Sequence, residues 1–399
     1  MVRIAPFDVE QWMDEYEVTP GCLNIAETCA ASVSLDELIQ LSEDKTLRNP
    51  ISLTTKLVYG AIRGSDALRR NVANLYKQDD RAADLTPENV LITQGAIGAN
   101  FLSLYSLVSP GDHVVCVYPT YQQLYGVPES LGAEVSLWRL KKDNGFIPDV
   151  AELETLVKPN TKMIILNNPN NPTGAAIPTA VLGDIIAFAK ARNITVFSDE
   201  VYRPLFHNLH DKDAVVPAPI TSFGYDNVVV TGSMSKAYAL AGIRVGWVVS
   251  PNKEIIARLA SARDYTTISV SQLDDAVAAY ALSPPVRDPL LRRNVSLAKT
   301  NVALLEAFVQ KNSAVCSWVK PVAGTTAFVH FTNNGQPVDD ATFCLDVLNE
   351  TKVFIVPGSK CFGGSEDFAG YVRVGYVCHT DVLVEALEKL SGYVQTHLS

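Results

Sequence analysis

The sequence contains no run of eighteen apolar residues, so no segment of it reads as membrane-spanning. Its first residues mix Arg3, Asp8, Glu10, Asp14 and Glu15 with apolar ones, and so lack the uninterrupted apolar stretch of a secretion signal. A positive surplus is missing too. Lys and Arg number 33 against 43 Asp and Glu, and the net charge of −10 is the wrong sign for a phosphate-backbone partner. The 7 cysteines are odd in number and include no C-x-x-C pair, which points to reduced thiols in a cytosolic protein rather than a disulfide framework. His207 and His210 are the only close histidine pair and have no cysteine beside them, so a metal site is not expected. No G-x-G-x-x-G occurs, which excludes a dinucleotide fingerprint. A small molecule is the expected partner.

What is present is an ordinary globular composition, 47% hydrophobic and 19% charged over 399 residues, long enough for two domains. Short β-branched runs at Val90–Thr93, His113–Tyr118, Val135–Leu140, Met163–Leu166, Ile194–Phe197, Asn227–Thr231 and Val245–Val249 alternate with helical patterns such as Ala96–Val108 and Thr179–Arg192. That rhythm predicts an α/β fold whose mostly parallel sheet lies between helices and binds ligands at the carboxyl ends of its strands. Pro284-Pro285 marks the expected boundary, with a long helix following and short strands near Thr326–Phe331 and Val353–Val356. The expected organisation is an N-terminal arm (1–45) that packs with a smaller α/β domain (286–399), and a large domain (46–285) between them.

Five segments at predicted strand ends suit one phosphate-bearing aromatic aldehyde. Gly232-Ser-Met-Ser-Lys236 places Lys236 at a sheet mouth, where partial burial and positive neighbours would lower its pKa enough to attack an aldehyde. Ser233 and Arg244 offer donors to a phosphate. A surface lysine in a Gly/Ser loop explains this segment alone equally well. Asp199, delivered by an apolar strand, can pair with a protonated pyridine nitrogen, or can simply cap a helix. Tyr202 and Asn171 can both reach a phenolic oxygen, though Asn171-Pro-Thr-Gly also fits a plain turn. Gly95, Ala96 and Ile97 open a helix whose free amides can cradle the phosphate. Tyr121 can stack on the ring or pack as an ordinary surface tyrosine.

With these residues in order, the chain resembles the class I/II aminotransferases, pyridoxal-phosphate enzymes of fold type I, over nearly its whole length. The resemblance implies that Lys236 forms the internal aldimine and shuttles the proton, with Asp199 on the pyridine nitrogen. It implies that Asn171 and Tyr202 hold the phenolic oxygen, and that Ala96, Ile97, Ser233, Ser235 and Arg244 surround the phosphate. Tyr121 would stack on the ring, Tyr59 would reach the phosphate of a neighbouring subunit in a homodimer, and Arg373 would clamp the substrate α-carboxylate together with Asn171.

The resemblance implies chemistry on an L-amino acid through an external aldimine and a quinonoid, with transamination as the first reading. The segments Gly324–Phe328, Ala262–Ser269 and Ser235–Gly242 are similar to capreomycidine synthases. Elimination, replacement, cyclisation or oxidation of a substituted or arginine-like amino acid is therefore the alternative. Glu27 would then pair with a cationic side chain, or else be a solvent-exposed carboxylate. Ser233-x-x-Lys236 also fits a penicillin-binding serine hydrolase, but the S-D-N and K-T-G elements of that family are missing.

Overall fold

The computed structural model describes residues 4–77, 85–208 and 216–399. Seven strands form the central sheet: Val90–Gln94 (β1), His113–Tyr118 (β2), Glu134–Arg139 (β3), Thr161–Asn167 (β4), Thr195–Asp199 (β5), Val228–Ser233 (β6) and Val245–Val249 (β7). Their order is β1-β7-β6-β5-β4-β2-β3. The five strands from β6 to β3 run parallel, and β7 lies antiparallel to both of its neighbours, β6 and β1. The alternating runs thus give the expected mostly parallel sheet, with one reversed strand that local patterning does not announce.

Burial on both faces explains why these strands read as continuous apolar runs. Val114, Val115, Ile164, Ile165, Val229 and Val230 are all fully buried, and successive residues point to opposite faces of the sheet. The helices Gly95–Leu107 and Thr179–Ala191 cover the sheet, bounded within a residue of their sequence patterns.

Pro284 opens a helix running to Lys311, as suits a residue whose missing N–H would be unpaired in the first turn anyway. Beyond it, Thr326–Asn333 pairs antiparallel with Cys316–Trp318, Gln336–Pro337 and Tyr371–Gly375. The N-terminal segment joins this C-terminal part directly. Leu23–Asn24 pairs in parallel with Val353–Phe354, and the Gly375 amide donates to the Ile25 carbonyl at 2.7 Å.

Candidate active site

A cavity of about 580 Å³ opens at the carboxyl ends of β5 and β6, a volume suited to a cofactor with its substrate. Its lining gathers Glu27, Ala96, Ile97, Tyr121, Asn171, Asp199, Tyr202, Ser233, Ser235, Lys236, Arg244 and Arg373. Of the residues singled out from sequence, only Gly95 and Tyr59 do not line it. Gly95 stands directly behind the wall, since a Cβ there would lie 3.0 Å from an Arg244 guanidinium nitrogen. Tyr59 is 80% exposed and belongs to a different surface.

The end of the cavity suited to a phosphate is built from the start of the helix Gly95–Leu107. Its N-cap, Gln94, makes no side-chain cap bond, so the first-turn amides of Ala96 and Ile97 remain for an anion. Strand β7 comes very close here. A Cβ on Gly246 would lie 2.6 Å from both the Ala96 nitrogen and the Gly95 oxygen, so only glycine lets β7 bring Arg244 against this helix end. Gly246→Ala is expected to cost about 1–3 kcal/mol of stability and to weaken cofactor binding. Thermal unfolding and cofactor titration measure the two effects, and a variant unchanged in both would show that this contact does not shape the site.

Asp199 ends β5 and is 3% exposed. Its Oδ2 accepts from Asn100 Nδ2 at 2.8 Å and its Oδ1 from the Val201 amide at 3.1 Å. No helix follows it, so the capping reading falls away. Burial raises its carboxyl pKa to about 6, against the hydrogen bonds from Asn100 and Val201 and the charge of Lys236. Such a buried acid fits a cationic ring nitrogen, which would restore the ionised form.

Lys236 follows β6. Its Nζ donates to Thr28 Oγ1 and stands 3.6 Å from Cys29 Sγ and 3.9 Å from Glu27 Oε1. Here the expected electrostatics are reversed. Burial does oppose the ammonium, but Cys29, Tyr202 and Glu27 outweigh it and hold the pKa above the ordinary lysine range, while positive Arg373 acts the other way. Before the cofactor arrives, Lys236 is thus stored as a cation. The loop reading also fails, because its side chain is only 26% exposed and points into the cavity.

Arg373, on the strand Tyr371–Gly375, is 3% exposed. One terminal nitrogen donates to the Ala26 carbonyl at 2.9 Å and the other reaches Asn171 Oδ1 at 3.4 Å, while its Nε has no partner. A guanidinium held this way has capacity left for a carboxylate. Asn171 is anchored in turn by its own amide, which donates to Asn167 Oδ1 at 2.8 Å. The buried Tyr202 lines the same cavity. Tyr121 packs on Phe7 and donates its hydroxyl to Glu10 at 2.6 Å.

Sequence reasoning missed Asn100, Thr28 and Cys29, as well as Glu10, Asp14 and Glu17 along the N-terminal helix Asp8–Tyr16 and its end. Glu27 itself is about half exposed, but into this cavity, and accepts from the Thr28 and Cys29 amides. Burial works against its charge, yet Lys236 and the Thr28 amide hold its pKa below the usual carboxylate range. His207 is buried and bonded to Gly324 and Tyr376, and its sequence companion His210 lies outside the described residues. Among the described residues no group of His, Cys, Asp and Glu has a metal-holding arrangement. None of their helices is long and apolar enough to cross a membrane.

Fold and site together define a pyridoxal-phosphate-dependent enzyme of fold type I. Residues 45–390 match the family model for aminotransferase class I and II, and the chain belongs to that family. Capreomycidine synthase of Streptomyces vinaceus is 30% identical over 308 residues, which cover 77% of this chain and 75% of that protein. A pyridoxal-phosphate-dependent aminotransferase from Streptococcus suis superposes with a TM-score of 0.87 at 38% identity, over 100% of this chain and 99% of the other. A pyridoxal-phosphate-dependent cyclase, OrfR, gives a TM-score of 0.84 at 26% identity, over 99% and 98%. The serine-hydrolase reading has no place in this family.

Proposed function

We propose that the protein transfers the amino group of an L-amino acid to an oxo acid. The observation that carries this reading is the convergence of Lys236, buried Asp199 and buried Arg373 on one cavity. When bound, pyridoxal phosphate supplies an aldehyde that condenses with amines and a ring that accepts electron density from the substrate Cα. Arg373 would hold the α-carboxylate and so fix which Cα bond faces Lys236. The Lys236 Nζ, once released as a free amine, would take the Cα proton and return it to the former aldehyde carbon, two bonds along. Asp199 would keep the ring nitrogen protonated, Asn171 and Tyr202 would hold the phenolic oxygen, and Tyr121 would cover the ring. Ala96, Ile97, Ser233, Ser235 and Arg244 would bind the phosphate. Mixing the enzyme with single amino acids in the absence of an oxo acid tests this directly. Conversion of the cofactor to its amine form, with the matching oxo acid in the mass spectrum, supports transamination, and an unsaturated, cyclised or oxidised product rejects it.

One observation favours the second reading, elimination, replacement, cyclisation or oxidation on a cationic amino acid. Glu10, Asp14, Glu17 and Glu27 line one wall, and the pKa of Glu17 is raised by burial and then by the other three carboxylates. A cationic substrate side chain would relieve that repulsion, and the likeness to capreomycidine synthase supports the same choice. Glu27→Gln keeps an oxygen to accept from the Thr28 and Cys29 amides but removes the charge. It is expected to raise KM for a cationic amino acid about tenfold, equivalent to about 1.4 kcal/mol, and to leave a neutral one unchanged. Equal effects on both would remove Glu27 from side-chain recognition.

The proposal includes a homodimer in which Tyr59 reaches the partner's phosphate. Leu53, Leu57, Val58 and Tyr59 are 97%, 72%, 69% and 80% exposed, an apolar row suited to burial against a second copy. The division at residues 45 and 285, and a cytosolic setting consistent with seven free thiols, belong to the same reading.

A further inference from the structure

The helix Gly95–Leu107 carries more than an anion site at its start. Asn100 lies four residues after Ala96, one turn along and on the same face of the helix. It is 1% exposed and spends both ends of its amide on buried groups. Its Nδ2 donates to Asp199 Oδ2 at 2.8 Å, and its Oδ1 accepts from the Thr231 hydroxyl at 2.6 Å. Thr231 is fully buried on β6, directly opposite Asp199 of β5 in the parallel register. The three side chains form a linear relay of hydroxyl, amide and carboxylate.

The direction of this relay is fixed by its chemistry. A reversed amide would set its oxygen against the carboxylate oxygen, two acceptors with no proton between them. Thr231, by donating to Oδ1, holds the orientation in which the amide presents N–H to Asp199 and strengthens that donor. With Asn100 on one oxygen and the Val201 amide on the other, the carboxylate cannot rotate without losing a bond to a charged group. We infer that Asn100, oriented by Thr231, is a positioning residue that holds the Asp199 carboxylate ionised and fixed in orientation toward the ring nitrogen of the bound cofactor. One helix thereby addresses both ends of the cofactor, the phosphate through its first-turn amides and the ring nitrogen through Asn100 and Asp199. The inference rests on the role proposed above for Asp199.

Its test has an arm that needs no cofactor. Lys236, Glu200, Tyr121 and Tyr202 are the other titratable groups that face Asp199, and all remain in place in the variants. Because burial lifts the Asp199 pKa above its unfolded value, the cofactor-free protein gains stability as this group protonates, and loses that gain as pH rises through about 6. Asn100→Leu removes a donor that favours the anion, so the loss should move to higher pH by about one unit or more. Denaturant unfolding across pH, for parent and Asn100→Leu, each beside its Asp199→Asn counterpart, isolates that titration. In the loaded enzyme kcat should fall at least about tenfold, with KM within about threefold. Thr231→Val should shift both readouts in the same direction by less, and should add nothing in the Asn100→Leu background. If the leucine variant fails to fold, Thr231→Val carries the same test. An unmoved titration, or full additivity of the two substitutions, overturns the inference. An unchanged kcat in Asp199→Ala would defeat the role of Asp199 and this inference with it, whereas a titration blind to Asn100 defeats this inference alone.

Discussion

Replacing Lys236 with alanine is expected to leave a folded protein that no longer retains cofactor on the chain after borohydride treatment, with turnover reduced by at least about a hundredfold. Lys236 is the one lysine among the described residues that line the cavity, so no other amine is placed to substitute for it. The methyl group of alanine also leaves Thr28, Cys29 and Glu27 without the cation they surround. The apoprotein should therefore lose some stability near neutral pH, while the phosphate end keeps its donors. Peptide mass spectrometry after reduction gives a decisive reading. Cofactor fixed to a different lysine in the Lys236→Ala chain would move the covalent site elsewhere.

Asp199→Ala separates binding from chemistry. The contacts expected for the phosphate come from Ala96, Ile97, Ser233, Ser235 and Arg244, none of which touches the Asp199 carboxylate in the hydrogen-bond network. Cofactor affinity should fall modestly and be overcome by added cofactor. Turnover should fall about a hundred- to a thousandfold, the size of effect seen when one preorganised electrostatic partner is removed from an active site. An alanine enzyme that turns over normally when saturated with cofactor would reject the assignment of Asp199 to the ring nitrogen.

The sequence revealed those parts of the molecule in which a local pattern and a tertiary role coincide. His113–Tyr118 and Val245–Val249 were bounded correctly because a strand buried on both faces reads as a nearly continuous apolar run. Lys236, Asp199 and Asn171 were legible because they sit where strands stop and polar residues begin. The reversal of β7 was not, since strand direction depends on the path of the chain between strands. Asn100 was read only as part of an amphipathic helix. Its meaning comes from Asp199 and Thr231, 99 and 131 residues away, and no spacing rule connects such positions. Lys236 shows the opposite failure. Its position was legible but its charge environment was not, because Glu27 and Cys29 come from a segment more than two hundred residues earlier.

That early segment is stitched to parts of the chain made much later. The Ala30 amide donates to the Lys236 carbonyl, Ala31 to the Val377 carbonyl, and the Ala26 carbonyl holds Arg373. On a ribosome adding about 5–20 residues per second, residues 24–31 wait roughly ten seconds to a minute for these partners. Before Arg373 and Val377 are made, the large sheet and the helix at Gly95 can already form, so an unfinished chain would hold the proposed phosphate cradle before the proposed carboxylate clamp. On the roles proposed above, the residues that would hold the cofactor are synthesised before Arg373, which would hold the substrate, so loading of an unfinished chain would precede its competence to react.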